Sequence, residues 1–346
     1  MPLLHPDPEP TLPDGWRTRV PAVADLERLV QLSNAHLRVA RGSGEADADA
    51  VLAASVGAGS WTRRQLVAMD PVGEIRAWAS VHDRASGRAD VRLVVDPACP
   101  DADDVAAPLL AWQEDAAVEL AVGRELDRTR LDAVVDDGDH LLQEWLTRAG
   151  FARTRRWLNM TRTVRPDEDV PGTRAGVTVR RVGVQDLGDG TTMPVAEDLQ
   201  AVHRMLEESF EDHFNSYRES FPEFAQRLRE DPGHRWDHWW LAFVEDDGAQ
   251  VPGGALVSSV LPAKRPGSTT GTYIDYIGVH NRARGRGVAK SLLWTVIADA
   301  RARDRNHVAL EVDAESPTGA ADLYRSLGWT TSYVTESWHK DVTVGA

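Results

Sequence analysis

Cysteine is almost absent from this chain: Cys99 stands alone among 346 residues. A single thiol cannot form an intrachain disulfide, which excludes the disulfide-stapled secreted scaffolds and fits a reducing cytoplasm. Lysine is nearly as scarce, at positions 264, 290 and 340, so positive charge is almost wholly arginine. No apolar run approaches the roughly 18 residues that cross a bilayer, which argues against a membrane protein. The opening MPLLHPDPEPTLPDGW lacks a basic region leading into an apolar stretch, so it does not read as a signal peptide. Positive charge is also outnumbered, 39 Lys and Arg against 54 Asp and Glu, for a formal net charge of −15. Such a surface repels a phosphate backbone and excludes nonspecific nucleic-acid binding. What is present is ordinary globular material, 42% hydrophobic and 27% charged, in a chain longer than one usual domain.

Prolines at 2, 6, 8, 10 and 13 make residues 1–16 a loose arm. RPDEDVPGTRAG, residues 165–176, is rich in Pro, Gly and charge and reads as a linker, leaving units at 17–164 and 177–346. The two units echo each other. VALEVDAESPTGAADLYRSLGW reads as strand (Val308 to Val312), loop, helix and a Gly328-Trp329 exit, and LDAVVDDGDHLLQEWLTRAGF runs in the same order to Gly150-Phe151. An apolar strand and an amphipathic helix precede each segment: VRLVVDP with Asp104 to Leu120, and YIDYIGV with Gly287 to Arg303. Duplication of one α/β module is implied.

The most informative stretch is TYIDYIGVHNRARGRGVAKSLLW. Tyr273 to Val279 reads as a strand, and apolar residues at 288, 289, 292, 293, 296, 297 and 300 read as a helix. Between them lies Arg282-Ala283-Arg284-Gly285-Arg286-Gly287. Glycines at a strand-to-helix turn let the backbone approach a ligand and aim free N–H groups at an anion, beside the positive end of the helix. The turn is suited to phosphate. A Walker loop would end Gly-Lys-Ser/Thr, and this one runs Gly-Val-Ala-Lys. A dinucleotide fingerprint would need glycine where Lys290 stands, although Glu311 follows at about the distance of a ribose-binding acid.

These residues resemble a family. Arg284-x-x-Gly287-x-Ala289, after a strand ending Ile277-Gly278-Val279, matches the (Q/R)-x-x-G-x-(G/A) signature of GNAT N-acetyltransferases. Ser316-x-x-Gly-Ala-x-x-Leu323-Tyr324-x-x-x-Gly328-Trp329 is similar to that family's second motif, with serine where asparagine is usual. The tandem arrangement resembles mycothiol synthase and related actinobacterial two-domain GNAT proteins. The resemblance implies an α/β (α+β) fold of two tandem GNAT-like domains, each a mixed central sheet flanked by helices. It further implies acetyl-CoA with its diphosphate on the amides of Arg284, Gly285, Arg286, Gly287, Val288 and Ala289, beside Lys290 and Ser316. The pantetheine arm would pair with Ile277, Gly278 and Val279.

Acetyl transfer to an amine needs a base for the ammonium proton and an acid for the leaving thiolate. Tyr324 occupies the family's position for the acid, near a helix start, with a reference pKa near 10 suited to a thiol. Asp275 is the base candidate: alternation puts Tyr273, Asp275 and Ile277 on one face, and an acid among apolar neighbours needs a job. The helix Ala201 to Phe214 would line the acceptor pocket, where Glu207, Glu208, Glu211, Asp212 and His213 form either an acidic pocket for a cationic amine or a solvated face. The first unit lacks the basic turn, carrying Asp96 to Asp104 there and Leu146 in place of Tyr324, so it reads as a degenerate GNAT-like domain without a cofactor loop. His234-x-x-x-His238 lacks the Glu of a zinc helix, and no metal is expected. Residues 135–140 cap a helix rather than bind calcium, Cys99 has no activating partner, and Trp239 and Trp240 read as sheet core. The expectation is a cytoplasmic monomer or homodimer that acetylates a primary amine of a small molecule, with catalysis in 177–346. Acetylation of a cysteinyl amine, as by mycothiol synthase, and a noncatalytic acyl-CoA-binding regulatory module remain alternatives.

Overall fold

In a computed structural model, residues 9–188, 192–210, 220–263, 269–316 and 318–345 are described, Ala85 and Arg229 by backbone alone. The strands of the first half are β1 (Arg17–Arg19), β2 (Arg63–Met69), β3 (Ile75–Arg84), β4 (Arg88–Val95), β5 (Arg128–Asp136) and β6 (Ala152–Thr163). The second half adds β7 (Val177–Arg181), β8 (Val184–Asp186), β9 (Thr192–Pro194), β10 (His234–Asp246), β11 (Ala249–Leu261), β12 (Gly271–Val279), β13 (His307–Asp313) and β14 (Thr330–Thr343). The helices are α1 (Leu26–Arg41), α2 (Ala48–Ser55), α3 (Ala102–Gly123), α4 (His140–Arg148), α5 (Ala196–Phe210), α6 (Phe221–Arg229), α7 (Val288–Ala302) and α8 (Ala320–Ser326).

All strands but the β8–β9 pair join one mixed sheet, in the order β1-β2-β3-β4-β5-β14-β6-β13-β12-β11-β10-β7. The last strand of each half crosses over. β6 pairs with β13, β14 pairs with β5, and the two lie antiparallel to each other at the centre. The halves therefore cannot part without breaking backbone ladders on both sides. Local chemistry sets several elements. Asp247 and Gly248, at φ 47° and 78°, make the two-residue turn that joins β10 to β11, the I′ geometry that Asp-Gly favours. On α7 the apolar stripe Val288, Leu292, Leu293, Val296, Ile297 and Ala300 is essentially fully buried. Each large side chain so buried stabilises the fold by roughly 1.5–3 kcal/mol relative to exposure.

Helices cover both faces. In the first half α3 packs on one face over Ala79, Val91 and Leu131, while α1 and α2 pack on the other around Trp78. In the second half α7 covers the face with Ile274 and Leu310, and α5 and α6 cover the opposite one around Trp239. The repeat seen in sequence recurs as geometry. The parallel pair β4–β5 is joined only over Arg88–Asp90 and Arg130–Asp132, and β12–β13 only over Thr272–Ile274 and Val308–Leu310. Beyond those residues each pair diverges. The segment 165–176 forms neither helix nor strand but is pinned down, by Arg162 on Glu168 and by Arg301 on the Glu168 carbonyl.

Candidate active site

Where β12 leaves β13, a cleft of about 1840 Å³ opens between the halves. Its lining includes every one of Ile277, Gly278, Val279, Arg284, Gly285, Gly287, Val288, Ala289, Lys290, Ser316, Tyr324 and Asp275. Arg286 stands apart. Its guanidinium donates to the Glu245 carbonyl (2.7 Å) and its amide to Ala283 (3.4 Å), so it turns away from the cleft. The Arg284 amide is likewise spent on Asn281 (3.2 Å). That narrows the sequence expectation, in which amides from Arg284 onward were to face the ligand. The free donors are those of the first turn of α7, which have no intrahelical acceptor. Gly287 starts that turn at φ 86°, and Gly285 precedes it at φ 75°, conformations that cost other residues roughly 1–2 kcal/mol.

Strand β12 is irregular at its centre. Val257 opposes Tyr276 and Ser258 opposes Ile274, which leaves Asp275 as the extra residue of a β-bulge. Simple alternation therefore fails: Ile274 and Ile277 both pack toward α7, while Tyr276 joins the cluster under α5. Ile277 does not share a face with Asp275. The bulge instead re-aims Asp275 into the cleft, where Ser259 Oγ donates to its Oδ1 at 3.2 Å. Burial, with Asp231 nearby, pushes the Asp275 carboxyl up to about 7, against the smaller opposing pull of Ser259 and Arg227.

Tyr324 is buried beside Trp329, their ring centroids 6.0 Å apart, and burial pushes its phenol up to about 12. It lies in the second turn of the short helix α8, not at its start, so the hydroxyl rather than the helix end is the relevant group. Ser316 Oγ lies 2.8 Å from Thr318 Oγ1 at the cleft's edge. Glu207 and Glu208 line the cleft, and Glu208 lies 3.3 Å from His280. Glu211, Asp212 and His213 lie outside the described residues.

Sequence reasoning missed much of the rest of the cleft wall. Arg227 of α6 donates to the Tyr276 hydroxyl (2.5 Å), and both line the cleft. Glu311, weighed above as a ribose-binding acid, sits on β13 and accepts from Asn159 (3.2 Å) and Thr335 (3.1 Å), and burial raises its carboxyl. The first half supplies the far wall: Arg88, Asp90, Asp132, Val134 and Trp157, with His339 of β14. Asp132 pairs with Arg88 (2.6 Å) and lies 3.2 Å from His339, yet burial pushes it up to about 6. The strand exchange brings these residues together, and no local motif announces it.

The halves also meet through α6. Glu230, just past its end, accepts from Thr62 (2.9 Å) and Arg63 (3.0 Å) and lies 3.3 Å from His82. Burial alone would raise this carboxyl, but bonds from His82, Thr62 and Arg63 hold it down at about 2. The discounted features have plain structural roles. Asp139 caps α4 by accepting from Leu142 (3.1 Å), Cys99 is buried with its thiol pushed up by burial, and Trp239 and Trp240 are core. His234 and His238 lie on strand β10, and among the described residues no cluster of three metal-binding side chains occurs. Among the described residues no helix is long and apolar enough to cross a membrane.

Residues 199–329 match the model of the Acetyltransferase (GNAT) family. No curated sequence matches the chain. Over the whole chain the fold is similar to a GCN5-related N-acetyltransferase from Sphaerobacter thermophilus, at TM-score 0.71 and 24% identity, covering 97% of this chain and 98% of that one. It is also similar to a tandem GNAT protein from the clavulanic acid biosynthesis pathway, at TM-score 0.64 and 15% identity, covering 94% and 98%. At these identities the likeness establishes the tandem fold; neither match singles out mycothiol synthase.

Proposed function

We propose, from the match of residues 199–329 to the Acetyltransferase (GNAT) family model and from the cleft's geometry, that the protein transfers an acetyl group from acetyl-CoA to a primary amine of a small molecule held between its halves. The donor's diphosphate takes the free amides at the start of α7, with Arg284 and Lys290 beside it, and its pantetheine arm takes the unpaired edge of Ile277 to Val279. The fit rests on Gly287: its left-handed backbone opens the helix start to the cleft.

An ammonium with a reference pKa near 10.4 costs roughly 4–5 kcal/mol to deprotonate at pH 7. Asp275, poised at about 7, takes that proton directly or through one water. The amine nitrogen then bonds to the thioester carbonyl carbon, the C–S bond breaks as the sulfur takes the Tyr324 hydroxyl proton, and the nitrogen's surplus proton passes through the cleft to the Tyr324 phenolate. The products are an N-acetyl amide and the thiol of CoA. Asp275 returns to its starting state by releasing its proton to water in the open cleft.

The first half is read as a GNAT-like unit that has lost its donor site. Asp96 fills its turn and is held by Arg28 (2.7 Å) and Arg76 (3.2 Å), and Leu146 lies buried where Tyr324 would stand. Its contribution is the acceptor wall. A cytoplasmic location, and a monomer or simple homodimer, complete the reading. The observation that carries it is the aiming of Asp275, by a bulge, into the same cleft as the Gly287 turn. The test is thiol release from acetyl-CoA across a panel of amines. Amine-dependent release that Asp275→Asn and Tyr324→Phe reduce supports the reading; donor binding with no turnover on any amine would overturn it in favour of a noncatalytic acyl-CoA-binding module.

A further inference from the structure

The start of α7 holds a residue that neither motif supplies. Arg174 belongs to the segment between the halves, and its backbone is fixed there: its N–H donates to Ser291 Oγ (3.1 Å) and its carbonyl accepts from Val177 (3.0 Å). Ser291 Oγ in turn donates to the Gly287 carbonyl at 3.1 Å. From this anchor the side chain crosses directly over Gly287. A Cβ on Gly287 would lie 2.4 Å from Arg174 Cδ and 3.4 Å from its Cβ and Cγ. Arg174 lines the cleft with Arg284, Gly285 and Lys290.

Several other arginines of the chain are paired with carboxylates. Arg162 is held by Glu168, Arg180 by Asp198, Arg181 by Asp299 and Arg303 by Asp237. Among the described residues no carboxylate lies within ion-pair distance of the Arg174 guanidinium. In a chain of net charge −15, a cation with a fixed stem and no counter-ion, at a helix start that already favours anions, is suited to a bidentate grip on phosphate.

We propose that Arg174 binds the diphosphate of the acyl-CoA donor, so that the segment joining the halves forms part of the donor site. This rests on the acetyltransferase reading above. The connecting segment then has two roles, since donor binding also ties it to α7.

The test is calorimetric titration of the full chain and of Arg174→Gln and Arg174→Lys with CoA and with 3′-dephospho-CoA. Arg174→Gln is expected to weaken both ligands by the same factor, roughly ten-fold or more, as for a lost charge-assisted bond. Arg174→Lys, which keeps the charge without the fork, should recover part of that loss. Arg174 is solvent-exposed and outside every helix and strand, so these variants should fold. Unchanged affinity in Arg174→Gln would overturn the proposal. So would tighter binding, which would mean the side chain obstructs the slot, or a loss confined to CoA, which would place it on the 3′-phosphate. Absence of CoA binding in the parent protein would instead remove the acetyltransferase reading and this proposal with it.

Discussion

Replacing Asp275 by asparagine should make the protein more stable and far less active. The carboxyl titrates near about 7 in the folded chain and near 3.9 when unfolded. Below about pH 4 it is neutral in both states and costs nothing. Between about pH 4 and 7 the unfolded chain ionises first, so stability falls as pH rises, and above about 7 the whole cost is present. About three pKa units correspond to an upper bound of roughly 4 kcal/mol; partial access to solvent in the cleft reduces this to about 1–3 kcal/mol. Asparagine never ionises and can still accept from Ser259. At pH 8 the variant should therefore melt higher by several degrees, since each kcal/mol shifts Tm by roughly 2–4 °C in larger domains; at pH 4 the two proteins should coincide. Turnover should drop by about 10²–10⁴, the range for a lost general base, and the parent's own kcat/KM should fall as pH drops below about 7. Melts and initial rates from pH 4 to 8 measure both. A stability difference that does not grow with pH would refute burial as the cause of the shift, and an active variant would refute the role.

Tyr324→Phe should lower kcat by about 10² while leaving acetyl-CoA affinity unchanged, because the phenol is asked only for a proton; single-turnover rates beside calorimetry would show it. Gly287→Ala forces a side chain onto a φ of 86° and pushes Arg174 aside, so it should cost about 1–2 kcal/mol of stability and raise the KM for acetyl-CoA. Glu230→Ala leaves Arg63 and His82 facing each other without their carboxylate and should cost about 3–5 kcal/mol in urea unfolding. Because Glu230 anchors α6, whose Phe221, Phe224 and Arg227 line the cleft, the acceptor KM should rise while donor affinity holds.

The turn proposed as the donor cradle was legible in sequence because it is local. A strand, two glycines and a helix lie consecutively, and the helix stripe from Val288 onward is buried as its spacing implied. The far wall of the cleft was not, because it is assembled by the exchange of β6 and β14, a pairing of residues more than 140 apart. Trp157, Asp132 and His339 enter the cleft only through that exchange. The bulge at Asp275 also escaped pattern reading, since alternation assumes unbroken register. Arg286 shows the opposite error: its type and spacing suited phosphate, but the Glu245 carbonyl captures it.

Calorimetric titration of the full chain with acetyl-CoA, beside Gly287→Glu, tests the central claim most directly. One equivalent bound per chain, abolished by the carboxylate at position 287, is the predicted result. Two equivalents would show that the first half keeps a donor site, and no binding would contradict the claim that the turn before α7 is a donor cradle.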